Sequence, residues 1–165
     1  MASTLNRTSI WFITFWLVLI SNQLTVSGSF APSYPTFLRQ ISRGGSRYVL
    51  TPESVVGFDA MLSSAAPETL VVIDFGASWC GPCRNVAPLF DKLAKEYQPL
   101  ITSNGVQPPV IFVKADIDQL REAAMRYKIE SVPTFVFLRN GQELSRILGG
   151  DIAKVKQTVK YYENQ

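Results

Sequence analysis

Hydrophobic positions along the chain change their spacing several times, and each change marks an element. Val55, Phe58, Met61 and Leu62 recur at intervals of three and four, the spacing of a helix with one buried face. Thr51-Pro52 ahead of them offers an N-cap and a first-turn proline. Leu70-Val71-Val72-Ile73-Asp74-Phe75 is an almost continuous apolar run, which suits a central strand buried on both faces of a sheet. From Cys80 the helical spacing returns, with Val86, Leu89, Phe90, Leu93 and Tyr97 as the buried stripe. Pro88 lies inside this helix and should kink it, because it removes one backbone hydrogen bond.

Residues 98–109 carry the proline, glycine and asparagine of a loop, and Val110 to Val113 is the next strand. Leu120, Ala123, Ala124 and Tyr127 mark a short helix. Phe135 to Leu138 and Leu144 to Leu148, joined through Asn140-Gly141, read as an antiparallel hairpin. Ile152, Val155, Val159 and Tyr162 form a closing helix, and Ser46 to Leu50 a short first strand. The order β-α-β-α-β-α-β-β-α predicts an α/β fold with a central mixed sheet flanked by helices on both faces.

The first 47 residues follow a different pattern. Ile10 to Ile20 is an apolar run of eleven residues preceded by Arg7, the form of a signal peptide over residues 1–29. A membrane-spanning helix needs about 20 apolar residues, so membrane attachment is expected only through an uncleaved leader. Residues 30–47 complete a stretch rich in Ser, Gly, Pro and Arg and free of acids, which is transit-peptide composition. Ser27-Gly28-Ser29-Phe30-Ala31-Pro32 resembles the junction of bipartite leaders in algae with secondary plastids. The expected address is a secondary plastid or its periplastid compartment, reached by secretory entry. The alternative is secretion or the ER lumen, with residues 30–47 as a plain linker.

Charge follows the same division. The whole chain of 165 residues carries a net +3, but residues 1–47 hold four arginines and no acid. Residues 48–165, one domain, then hold 12 basic and 13 acidic groups, with no basic stripe for nucleic acid.

The chemistry is concentrated in Trp79-Cys80-Gly81-Pro82-Cys83, which holds both cysteines of the chain. Two thiols one helical turn apart lie on the same face, and a helix N-terminus stabilises a thiolate. A closed zinc site needs four cysteine or histidine ligands, and this chain has two cysteines and no histidine. No metal or other cofactor is therefore expected. A structural disulfide would close only a four-residue ring, which removes little entropy from the unfolded chain. Redox exchange is the remaining reading. Asp74 interrupts an apolar strand, where desolvation raises a carboxyl pKa and suits it to relay a proton to or from Cys83. The plainer reading is a strand-end aspartate paired with Lys114.

These residues resemble the thioredoxin family from about Tyr48 to the C-terminus. The resemblance rests on the cysteine pair, Asp74 six residues before Cys80, Pro88, Ser131-Val132-Pro133-Thr134, and the late glycines Gly141 and Gly149. Ile73-Asp74-Phe75 with Ala77-Ser78-Trp79 and Val132-Pro133-Thr134-Phe135 is most similar to the plant h type. The resemblance implies the thioredoxin fold and a protein-disulfide reductase acting through Cys80, Cys83 and Asp74. It also implies a substrate surface of Trp79, Gly81, Pro82, Val132, Pro133 and Gly149, with Val132-Pro133 as the cis-proline segment. The implied partners are disulfide-containing target proteins and a ferredoxin- or NADPH-linked thioredoxin reductase. Cys80, the more exposed thiol at the helix end, is the expected nucleophile, and Cys83 the resolving thiol. Two departures stand out: the 98–109 connection is long for the family, and Gly76 stands where tryptophan or threonine is common. A secretory-pathway oxidase or isomerase and a non-catalytic binding subunit remain as alternatives.

Overall fold

The structure is a computed structural model that describes residues 48–97, 109–163 and Gln165. The leader, with its signal, transit and Phe30 features, and residues 98–108 of the long connection lie outside the described residues.

The elements in chain order are α1 (Val55–Ser64), β1 (Leu70–Gly76), α2 (Gly81–Glu96), β2 (Val110–Asp116), α3 (Arg121–Arg126), β3 (Thr134–Arg139), β4 (Gln142–Leu148) and α4 (Ile152–Glu163). The strands form one sheet in the order β2-β1-β3-β4. β1 runs parallel to β2 and antiparallel to β3, and β3 and β4 are antiparallel, so the sheet is mixed as expected. The turn between β3 and β4 puts Asn140 at φ 50° and Gly141 at φ 72°. Two consecutive left-handed residues are what a two-residue hairpin requires, and Asn-Gly supplies them with little strain.

β1 is buried at all seven positions, and its alternation explains the layers. Leu70 and Val72 join Phe135 and Phe137 under Val86, Phe90 and Leu93 of α2 and Val155 and Val159 of α4. Val71, Ile73 and Phe75 turn the other way and pack with Phe58 and Met61 of α1 and Ala123 of α3. Helices therefore cover both faces. Asp74 shares the parity of Leu70 and Val72, which directs it to the face carrying α2. Among the described residues no helix is long and apolar enough to cross a membrane.

Three expectations need correction. Of the strand expected over Ser46 to Leu50, the described residues from Tyr48 form only a parallel bridge at Leu50, held by Leu50 N donating to Phe112 O (2.9 Å) and Lys114 N donating to Leu50 O (2.8 Å). Pro52, two residues on, has no N–H with which to continue the ladder. The cap of α1 is Ser54, not Thr51: its hydroxyl accepts from Gly57 N at 3.1 Å, closing the first turn three residues later than expected. Leu89 is 47% exposed rather than part of the buried stripe. At 100° per residue it lies at the margin of the arc defined by Cys83, Val86, Phe90, Leu93 and Ala94. Ser54→Ala should lower stability by about 1 kcal/mol in urea unfolding, whereas Thr51→Ala should have a much smaller effect.

Candidate active site

The site forms where β1 ends and α2 begins. Cys80 is the N-cap of α2, and its Sγ accepts a hydrogen bond from the Cys83 backbone N–H at 3.1 Å. A serine or aspartate oxygen usually fills that role at a helix start. With Gly81 opening the helix and Pro82 behind it, the pyrrolidine nitrogen falls where a helix has no internal acceptor to offer, so no bond is lost. One turn of helix thus brings the two cysteines to a Cα–Cα distance of 5.2 Å, and they are joined as a disulfide.

The neighbours come from two other segments and from the residue just before Cys80. The Val132–Pro133 peptide is cis, as the resemblance implied, and the Val132 carbonyl oxygen lies 3.7 Å from Cys80 Sγ. Gly149, at φ 82°, donates its N–H to Pro133 O at 2.8 Å, fixing the hairpin end beside that loop. Trp79 is 63% exposed, which removes it from the core and places an indole at the rim. All the residues expected from the sequence therefore meet around the disulfide, Gly149 through Pro133 and Asp74 from beneath.

Two contacts escaped the sequence reading. Asp118 Oδ2 accepts from Trp79 Nε1 at 2.9 Å, and Arg84 Nη1 donates to Ser78 O at 3.0 Å. Together they tie down the segment between β1 and α2. The Trp79–Asp118 pair spans 39 residues, a separation no local pattern reports.

Exposure does not separate the cysteines, since both are 5% exposed in the disulfide. Their surroundings do. Cys80 faces the Val132 edge and receives the amide of Cys83, whereas Cys83 faces inward toward Gly76 and Asp74. A Cβ placed on Gly76 would lie 3.6 Å from Cys83 Sγ and 3.9 Å from Asp74 Oδ1.

Asp74 is buried, with 1% exposure, and its Oδ1 has no hydrogen-bond partner among the described residues. Lys114 is its register partner on β2, yet no salt bridge joins them, so the plain strand-end pairing does not form. Burial pushes the Asp74 carboxyl up to about 7, with Lys114 pulling it down and Asp91 adding a smaller upward push. Among the described residues no group of three or more acidic, cysteine or histidine side chains could hold a metal.

The thioredoxin family model matches residues 49–161. The chain belongs to the thioredoxin family. It is 38% identical over 103 residues to an H-type thioredoxin of Oryza sativa subsp. indica, covering 62% of this chain and 76% of that one. It is 35% identical over 135 residues to thioredoxin H2-1 of Oryza sativa subsp. japonica, covering 81% and 90%. Among solved structures, thioredoxin NaTrxh of Nicotiana alata superposes with a TM-score of 0.62 at 26% identity, over 70% of this chain and 92% of that one. The reduced Schistosoma mansoni thioredoxin pre-protein superposes with 0.59 at 35% identity, over 69% and 97%. The fold is the thioredoxin fold, and this thioredoxin is a thiol–disulfide oxidoreductase.

A carboxyl held at about 7 that titrates near 4 when unfolded binds its proton more tightly in the native state. Folding is then unpenalised below pH 4 and loses stability as pH rises through the window from about 4 to 7. Asp74→Asn should be unaffected in that window and more stable than the parent above pH 7, by on the order of a few kcal/mol. Denaturant unfolding of the oxidised proteins at pH 4 and pH 8 measures the difference.

Proposed function

We propose that this thioredoxin is a protein-disulfide reductase whose nucleophile is Cys80. The observation that carries the reading is the Cys83 N–H donated to Cys80 Sγ at the first turn of α2. In the reduced protein that donor, with the other free amides of the helix end, stabilises a thiolate on Cys80 and lowers its pKa. Among the described residues Cys83 has no equivalent donor at its sulfur, and a carboxyl raised to about 7 by burial lies toward it, which disfavours a second negative charge there and holds Cys83 as a thiol until it is needed.

The cycle has two exchanges. Cys80 thiolate attacks one sulfur of a target disulfide; a Cys80–target bond forms, and the target's second sulfur leaves as a thiolate that takes a proton from solvent. Cys83 then gives its proton to the ionised form of Asp74 and attacks Cys80 Sγ. The mixed disulfide breaks, the Cys80–Cys83 bond forms, and the target's first sulfur departs and is protonated. The target gains two electrons and two protons; the active-site pair, starting as a thiolate and a thiol, supplies both electrons and one proton by way of Asp74, and solvent supplies the other proton. A separate thioredoxin reductase, ferredoxin- or NADPH-linked, returns those electrons and restores the dithiol.

Trp79, Gly81, Pro82, Val132, Pro133 and Gly149 supply the surface on which the target chain lies. The cis Val132–Pro133 segment beside Cys80 offers backbone to an extended target, and the exposed Trp79 indole offers apolar area at the rim. Pro82 donates nothing to either sulfur, and the motif has no histidine to stabilise a thiolate further. Both features support reduction over oxidation.

Cys80→Ser should abolish insulin reduction. Cys83→Ser should lose turnover while accumulating a mixed disulfide with the target through Cys80, visible by mass spectrometry. Trapping through Cys83 in the Cys80→Ser protein would reverse the assignment. Net oxidation of a dithiol peptide by the parent at a cytosol-like glutathione poise would move the function to an oxidase.

A further inference from the structure

Arg146 lies on β4 and touches neither cysteine, yet four of the five N–H groups of its guanidinium are committed. Nε and Nη2 donate to the two carboxylate oxygens of Glu143, each at 2.8 Å. The far side of the guanidinium donates to main-chain carbonyls, Nη2 to Tyr127 O at 2.9 Å and Nη1 to Lys128 O at 3.3 Å. The strand register explains the reach. Arg146 stands opposite Val136, which packs on the face carrying α1 and α3, so the side chain is directed to the end of α3.

The two carbonyls belong to the turn that leaves α3. Tyr127 caps the helix, and Lys128 follows at φ 51°, a left-handed conformation that is costly for a residue with a side chain. From there the chain passes Ile129, packed against the core, and reaches Val132, whose carbonyl oxygen lies 3.7 Å from Cys80 Sγ. The far end of this segment is held by Thr134 Oγ1 donating to Ser131 O at 2.7 Å and Gly149 N–H donating to Pro133 O at 2.8 Å. Arg146 supplies the side-chain anchor at the near end.

We infer that Arg146 is a positioning residue for target binding, its Glu143-held guanidinium fixing the turn after α3 and so the place of Val132 beside Cys80. The inference rests on the proposed reading that the target chain lies along the Val132 segment. A planar guanidinium can hold a carboxylate on one edge and two carbonyls on another, whereas a lysine ammonium of equal charge is a point donor and cannot span them. Without the clamp, Lys128 loses the contacts that offset its left-handed turn, and the segment leading to Val132 gains freedom. A target must then order that segment as it binds, which weakens binding and leaves the exchange at Cys80 unaltered once the target is in place.

The test follows insulin reduction against insulin concentration, with dithiothreitol returning the electrons, for the full chain and its Arg146→Ala, Arg146→Lys and Cys80→Ser variants. Thermal melts set a temperature at which every protein is folded. Arg146→Ala should raise KM about fivefold with kcat little changed, the size of losing one charge-assisted hydrogen bond. Arg146→Lys should raise KM to the same extent. The pH midpoint for alkylation of Cys80 in the reduced protein should be the same with Arg, Ala or Lys at this position. A lower melting temperature with unchanged KM would show a purely structural clamp and overturn the inference. A parental KM in Arg146→Lys would do so by making charge the cause, and a shifted Cys80 midpoint by placing the effect at the thiolate. Insulin reduction retained by Cys80→Ser would overturn the reading of the site and the inference with it. An inactive Cys80→Ser beside unchanged KM in both Arg146 variants would overturn the inference alone.

Discussion

The hydrogen bond from the Cys83 N–H to Cys80 Sγ is the contact on which the rest of the site depends. It makes a sulfur the cap of α2, so the helix cannot begin correctly without placing Cys80 at its positive end. Everything nearby serves that placement. β1, buried along its length, delivers the chain to the start of α2 at a fixed depth. Arg84 and Trp79–Asp118 hold the intervening segment, and the Val132 edge closes over the sulfur from the far side.

The same arrangement gives two chemically similar residues different tasks. One cysteine looks outward across the Val132 edge and the other inward to Asp74. The asymmetry comes from position in the helix and from the carboxyl beneath, since surface exposure is equal for the two in the disulfide. Burial of Asp74 carries a stability penalty above its pKa, a group the core would hold more easily as an amide. Retaining an ionisable group there is consistent with its proposed use as a proton acceptor.

Much of this was legible in the residues because the signals were local. A continuous apolar run, a cysteine pair three positions apart and an Asn-Gly turn each specify an element or a chemistry within a few residues. The family resemblance then pointed to Val132-Pro133 and Gly149 as part of the site. What was not legible depended on distance or competition. The Trp79–Asp118 bond joins segments 39 residues apart. Ser54 and Thr51 are both good caps, and only the path of the chain through buried Pro52 chooses between them. Leu89 has the character of a core residue but falls at the margin of the helical face, where one step of rotation decides burial.

The claim that helix-cap geometry makes Cys80 the nucleophile is tested most directly by alkylating the reduced protein across pH and identifying the labelled cysteine. Cys80 should be modified first, with a titration midpoint below the ordinary thiol value of about 8.5. Faster labelling of Cys83, or a Cys80 midpoint at or above that value, would contradict the account.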